Sequence, residues 1–304
     1  MPELITITIN TISDAVKMYT GTSPDHPLIH VVDLADTHIQ PEFLNTRICS
    51  NLYSLVLKKN AKAKVQYGRN RYDFSSGVIT AYGPGQTVII DEAYEPGELQ
   101  GWSLMFHPDL LLHHPLQQAI KQYGYFSYNI CEALHASERE QQILNQLADE
   151  IKRETQQNHD EFSLDILLTS VELLLKYTDR YYNRQFLTRK ALYQDSVERF
   201  KRLVDAHLDN AETSEAGLPT VNQLAAEMNM SPNYMSDFLR KHSGNSAQEL
   251  IHLQLIEKAK YLLLNSDDSV STIAYQLGFE YPQYFSRIFK KKTTMTPQEF
   301  RKLH

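Results

Sequence analysis

Residues 271–301 read STIAYQLGFEYPQYFSRIFKKKTTMTPQEFR. Gly278 divides the stretch. Ahead of it, Ile273, Ala274 and Leu277 share one helical stripe. Behind it, Tyr284, Phe285, Ile288 and Phe289 recur at i, i+1, i+4 and i+5, the spacing of a buried helix face. Gly278 suits the left-handed position that ends a helix, and Phe279 then drops into the core between the two helices. Gln283, Ser286, Arg287 and Lys290 fall at i, i+3, i+4 and i+7 and form an exposed stripe. Two short helices joined this tightly make a helix-turn-helix, whose second helix fits a DNA major groove. The exposed residue types suit that use. Arginine can grip guanine O6 and N7 with two hydrogen bonds, and glutamine can pair with adenine N6 and N7. Lys290, Lys291 and Lys292 lie where such a helix leaves the groove and can neutralise phosphates. For this segment alone, a helical hairpin with a solvated face is the rival reading.

A second copy sits upstream. VNQLAAEMNMSPNYMSDFLRKH (221–242) places Leu224, Ala225 and Met228 on a first helix and Met230 as the core plug. Met235, Phe238 and Leu239 form the buried stripe of a second helix. Met235 corresponds to Phe285 at an offset of 50, and the copy at 271–301 has one extra residue in its turn. Ser231-Pro232 starts the second helix well, because serine caps free N–H groups and proline takes the first turn. Between the copies, SAQELIHLQLIEKAKYLLLNS (246–266) reads as one helix. At 1.5 Å per residue it is roughly 30 Å long, close to the ~34 Å that separates successive major-groove faces on one side of B-DNA.

The rest of the 304-residue chain has a different character. Its length suits about two domains, and 42% hydrophobic with 22% charged residues is ordinary for a globular protein. The net charge of -7 is uneven: 196–304 carries 13 basic and 13 acidic residues, so 17 basic and 24 acidic residues precede it. Ser269–His304 alone has six basic and two acidic residues. An acidic body with a basic end places a polyanion at that end. No apolar run reaches the ~18 residues of a membrane span. MPELITITINTISD lacks the basic and apolar regions of a signal peptide. Cys49 and Cys131 have no metal-like spacing, which fits a reduced, cytoplasmic chain.

The first ~130 residues hold short stretches rich in β-branched and aromatic residues, such as LITITI, NLYSLVLKK, KVQYG, YDFSSGVITAYG, QTVIIDE and GWSLMF. Their close spacing predicts a barrel or sandwich. NLYSLVLKK reads as buried on both faces. From Ser137 the period becomes helical. Ile143, Leu144, Leu147 and Ile151 make one stripe, and Phe162, Ile166, Leu167, Val171, Leu174 and Leu175 make another that is apolar over a wide arc. The second must bury against the barrel, the first helix or a second subunit. A hinge falls at 184–196, and Val197, Phe200, Leu203, Val204 and Leu208 open a further helix.

With IAYQLGFEYPQYFSRIFKKKTTMTPQEFRK, LAAEMNMSPNYMSDFLRKHSGNSAQELI and EKAKYLL in place, the chain from near Ser196 to His304 resembles the AraC/XylS family of bacterial transcription regulators. That resemblance implies seven helices and base contacts from one face of each recognition helix. By position these are Asn233, Ser236 and Asp237 in the first copy and Gln283, Ser286 and Arg287 in the second, with Arg240, Lys241, Lys290 and Lys291 on phosphates. Two departures stand out. Asp237 occupies the place of Arg287; a carboxylate accepts from cytosine N4 but repels phosphate. Leu255 sits where many members carry arginine. The resemblance further implies a cupin-like N-terminal barrel followed by dimerisation helices.

The expected fold class is therefore α+β: a cupin-like β-barrel (1–130) with trailing helices (137–183), a linker (184–196), and an all-α double helix-turn-helix domain (197–304). The expected partners are double-stranded DNA, RNA polymerase, a second copy of the chain and a small effector, with no cofactor. Tyr53, Tyr67, Arg69, Tyr72, Tyr82 and Trp102 are the effector-binding candidates, because aromatic faces beside a cation suit a sugar or small carboxylate. Arg69 leads them, at a hairpin turn in VQYGRNRYDF. Metal and catalysis have less support. There is no His-x-His, GxSxG, GxxxxGK[ST] or HExxH, and His26, His30, His38, His107, His113 and His114 lack ligand spacing. A cupin-type enzyme and a ligand-independent dimeric DNA-binding protein are the alternatives.

Overall fold

The computed structural model describes residues 5–39, 43–44, 46–59, 66–67, 70–71, 77–90, 94–129, 132–157, 160–188, 190–209 and 217–303. The chain divides into two units, Met1–Gln185 and Phe186–His304. The first runs β1 (Thr6–Ile9), α1 (Ile12–Thr20), β2 (Ile29–Asp33), β3 (Thr46–Ser50), β4 (Tyr53–Lys59), β5 (Gln66–Tyr67), β6 (Asn70–Arg71), β7 (Val78–Tyr82), β8 (Gln86–Ile90), β9 (Gln100–Phe106), α2 (Leu116–Ala119), β10 (Leu134–His135), α3 (Glu138–Gln156) and α4 (Ser163–Thr188). The second holds seven complete helices among the described residues: α5 (Lys190–Asp209), α6 (Val221–Met228), α7 (Pro232–Ser243), α8 (Ala247–Asn265), α9 (Val270–Gln276), α10 (Pro282–Thr293) and α11 (Pro297–Leu303). None of the described helices is long and apolar enough to cross a membrane.

The strands of the first unit form a five-stranded sheet in the order β10-β7-β4-β9-β2, a three-stranded sheet β1-β3-β8 and the ribbon β5-β6. The closed barrel expected from the strand spacing is not formed by the described strands; these sheets have free edges. Instead of closure, cover protects them. One face of the large sheet, carrying Ile29, Val31, Leu55, Leu57, Ile79, Trp102, Leu104 and Phe106, is buried with Leu144, Ala148 and Ile151 of α3 and Leu167, Leu168, Val171, Leu174 and Leu175 of α4. A second core joins the two sheets through α1: Ile9, Ile12, Ala15, Val16, Val32, Ile48, Leu52 and Met105. Helix α1 falls outside the strand reading of this region, and it opens on a capping box. Thr11 accepts from Asp14 N–H while the Asp14 carboxylate accepts from Thr11 N–H.

Strand β4 is central, between β7 and β9, and Leu55, Val56 and Leu57 are all buried, as expected of a strand covered on both faces. In α4 the wide apolar arc divides. Leu167, Leu168, Val171, Leu174 and Leu175 enter the core, whereas Ile166 and Leu173, with Phe162 just ahead of the helix, stay exposed. The expected linker at 184–196 falls on the end of α4 and the first turns of α5. Its first residues are tied into the first unit. Arg184 donates to both oxygens of Glu140 and to the carbonyl of His135, and Gln185 accepts from His135 N–H and donates to the carbonyl of Ala133.

Gly101 marks a close approach of two strands in the large sheet. Its φ is +117°, and a Cβ built there would lie 1.9 Å from the carbonyl oxygen of Leu57 on the neighbouring strand. Neither the backbone nor the space admits a side chain. Gly101→Ala is expected to lower the stability of this unit by about 3 kcal/mol or more, read from chemical denaturation, because strain and a backbone clash add.

Candidate nucleic-acid interface

Each half of the second unit uses the same local devices. Helix α6 ends at Asn229 in the left-handed conformation, φ +56°, and Met230 N–H returns to the carbonyl of Ala225. Helix α9 ends at Gly278, φ +85°, and Phe279 N–H returns to the carbonyl of Ala274. The two turns are the same 6→1 closure, made once by asparagine and once by glycine, the two residues that best tolerate this conformation. After the turn, α7 buries Tyr234, Met235, Phe238 and Leu239, and α10 buries Phe285, Ile288 and Phe289. Each is then followed by a second matched device. Ser246 and Glu249 cap α8 reciprocally, and Thr296 and Glu299 make the same contacts before α11. Hydrogen bonds from the backbone N–H and hydroxyl of Ser246 hold the Glu249 carboxyl below the usual range, and those from Thr296 do the same for Glu299.

Helix α8 links the halves without a break over 19 residues, roughly 28 Å at 1.5 Å per residue. Ala247, Leu250, Ile251, Leu255, Ile256, Ala259 and Leu263 are buried along it. Leu255, the position where the resemblance pointed to arginine, is fully enclosed and needs no polar partner.

The faces expected to read DNA are accessible. Asn233 and Gln283 are exposed, and Ser236, Asp237 and Ser286 are half-buried. The two helices differ in electrostatics. On α7, Arg240 reaches the Asp237 carboxylate at 3.4 Å, so the acid and a cation one turn later engage each other. Lys241 is exposed beside them. On α10, Arg287, Lys290, Lys291 and Lys292 are exposed and form no ion pair among the described residues. The Arg287 guanidinium lies over the Tyr284 ring, 5.0 Å from its centroid. Tyr284 thus departs from the buried stripe expected for it. It is 45% exposed, while Tyr234 at the matching position is 4% exposed. Ser286 Oγ donates to the Pro282 carbonyl, which turns that hydroxyl back onto its own helix.

Helix-turn-helix domain is the family description that matches residues 224–303. Similar proteins include the regulatory protein PocR of Salmonella typhimurium, 29% identical over 109 residues that make up 36% of this chain and 34% of that one. The arabinose operon regulatory protein of the same organism is 33% identical over 99 residues, 33% of this chain and 31% of that one. The carboxyl-terminal domain is of the AraC type. Among solved structures, the C-terminal domain of AraT, a response regulator from Geobacillus stearothermophilus, aligns with a TM-score of 0.32 at 28% identity, over 36% of this chain and 84% of that one. The aligned region spans about a third of the length of the curated relatives it matches. It is confined to the AraC-type domain.

The effector candidates in the first unit do not converge. Tyr53 stacks on Phe106 at 5.1 Å and meets Phe126 edge-on at 5.0 Å, half-buried against the core that α3 and α4 cover. Trp102 lies on that same face, its indole N–H donating to Asn145 Oδ1 at 2.9 Å, and it borders a cleft of about 400 Å³ with Asp33, Lys59, Asp149 and Lys152. Tyr82 points to the opposite face of β7 from Ile79 and Ala81. Burial raises its phenol, and Tyr82 and Tyr94 both lie near enough to Tyr19 to oppose ionisation of the Tyr19 phenol, which burial also raises. Thr37 Oγ1 donates to Tyr94 Oη at 3.3 Å. Tyr19 belongs to α1 and is not among those candidates. Arg69 and Tyr72 lie outside the described residues, as does the side chain of Tyr67.

The N-cap of α7 gives a direct check on the hairpin. Ser231 is buried and its hydroxyl accepts from Tyr234 N–H at 3.3 Å. Ser231→Ala is expected to cost about 1 kcal/mol of stability in the AraC-type domain, measured by thermal or urea denaturation.

Proposed function

We propose that the chain is a sequence-specific DNA-binding transcription regulator of the cytoplasm, working as a homodimer and controlled by a small effector in its sheet-bearing unit, with no catalytic role of its own. The single observation that carries the reading is the pair of exposed recognition faces on α7 and α10, joined by one unbroken helix whose length approaches the ~34 Å between successive major-groove faces. In this reading Gln283, Ser286 and Arg287 meet bases from α10, and Lys290 and Lys291 meet phosphates. Asn233, Ser236, Asp237, Arg240 and Lys241 play the matching parts on α7. The Asp237–Arg240 contact draws one cation away from phosphate, so α10 carries the larger share of base discrimination. DNA bound this way is the platform on which RNA polymerase is engaged.

Arg287→Ala is expected to cost about 1–3 kcal/mol of binding and to relax specificity at one base pair, measured by competition among duplexes enriched from a random pool. An equal loss on every sequence would assign Arg287 to phosphate instead.

The homodimer is supported by the apolar residues that α4 and the turn before it leave in solvent. Phe162, Ile166 and Leu173 lie at i, i+4 and i+11, one stripe of a helix. A second copy of that stripe is its natural cover. Sedimentation at micromolar concentration is expected to give a dimer, and Leu173→Glu a monomer. A monomeric wild-type chain, with and without DNA, would remove the dimer.

For the effector, the two sheets are read as a cupin-like sandwich. The half-buried tyrosines Tyr82 and Tyr94, both near Tyr19, support a site beside them, since neighbouring phenol hydroxyls suit a hydroxylated or carboxylate ligand better than an apolar one. That cluster favours a sensor over a ligand-independent binder.

A further inference from the structure

The two recognition helices begin differently, and the difference runs against stability. Helix α7 starts at Ser231, a buried residue whose hydroxyl caps the helix. Helix α10 starts at Tyr281, which makes no side-chain hydrogen bond to the helix and keeps 64% of its surface in solvent. At α10 the Tyr284 N–H turns back to the Tyr281 carbonyl oxygen at 3.0 Å, so the helix start is closed by backbone with no help from the Tyr281 side chain, and a large ring left in water gains nothing from burial. The fold therefore gives no account of tyrosine at this position, whereas serine at the equivalent position of the other hairpin has one.

The surroundings of Tyr281 say what the ring can meet. It stands at the start of α10, on the approach that also carries exposed Gln283, Tyr284 and Arg287. The N-terminal residues of a recognition helix are the ones that contact base edges. The preceding residue, Glu280, is exposed and acidic, which makes a phosphate an unfavourable neighbour there. Among the base edges of the major groove, the apolar group on offer is the thymine 5-methyl.

We propose that Tyr281 is a specificity-determining residue whose ring packs on a thymine methyl group, next to the base pairs that Gln283 and Arg287 read. The inference rests on the DNA reading given above.

The test uses the full chain and duplexes enriched by it from a random pool. Each thymine of an enriched duplex is replaced in turn by deoxyuridine, which removes only the methyl group. At one position the wild-type chain is expected to lose about four-fold in affinity, the worth of one buried methylene. Tyr281→Ser is expected to bind the thymine duplex more weakly and to ignore that replacement. Tyr281→Phe is expected to follow the wild type. The melting temperature of Tyr281→Ser should equal or exceed that of the wild type, because serine restores the cap seen at Ser231, so weaker binding cannot be ascribed to a damaged fold. The inference is overturned if no deoxyuridine position matters, if the sensitive position stays sensitive in Tyr281→Ser, or if Tyr281→Phe loses as much as Tyr281→Ser, which would give the contact to the hydroxyl. A pool that enriches no sequence removes the DNA reading and this inference with it; an enriched duplex indifferent to deoxyuridine removes this inference alone.

Discussion

The second unit depends on the burial of α8. Its apolar residues face several directions at once: it packs against α5, α7, α9, α10 and α11. A surface helix would bury one stripe and solvate the other, but α8 is shared by two small cores and serves both. Each hairpin alone is too small to enclose a core, and a common helix solves the problem for both. The same fact makes α8 a stiff spacer. A helix with Leu250, Ile251, Leu255, Ile256, Ala259 and Leu263 all enclosed cannot bend without opening one core or the other. Spacing between the recognition helices is therefore a packing constraint, not a property of a linker.

On that frame the two hairpins are repeated in construction and divergent at the surface. The repeat is kept where the backbone demands it, at the left-handed turn residues Asn229 and Gly278, at Pro232 and Pro282, and in the capping pairs Ser246–Glu249 and Thr296–Glu299. It is broken where solvent is met. Asp237 and Arg240 engage each other on α7, whereas on α10 Arg287 rests on a half-exposed tyrosine and the lysines that follow form no ion pair among the described residues. In the proposed reading, these unequal faces let one hairpin discriminate bases while the other contributes register and attachment.

The legibility of these features in the sequence follows their range. The helix-turn-helix pair was readable because its signals are local: a 3.6-residue period, a turn residue and a cap within about two dozen residues. Tyr284 was misjudged as buried because the period assigns a face but not the depth at its margin; that depth is set by Phe279 and Arg287, which flank its ring. In the sheet-bearing unit the strands were visible while their partners were not. β1 pairs with β3 in parallel, across α1 and β2, and such pairing leaves no mark in either strand. Open sheets covered by α3 and α4 and a closed barrel share the same alternation, so spacing alone could not separate them. The effector candidates fared worst, since aromatic content does not reveal which face of a strand a ring occupies: Tyr53 and Trp102 went to one side of the large sheet and Tyr82 to the other.

By itself, the sequence determined the duplicated hairpins, the helix that spaces them and the residues on their outer faces, because helical period, capping and turn chemistry act over distances of a few residues. Only the tertiary structure decided that the strands form open, helix-covered sheets, that α4 leaves Ile166 and Leu173 in solvent, and that Tyr281 stands uncapped and exposed where Ser231 is buried. Those outcomes turn on which distant surfaces meet. That competition among long-range contacts is decided by the free energy of the whole packed chain, not by any short stretch of it.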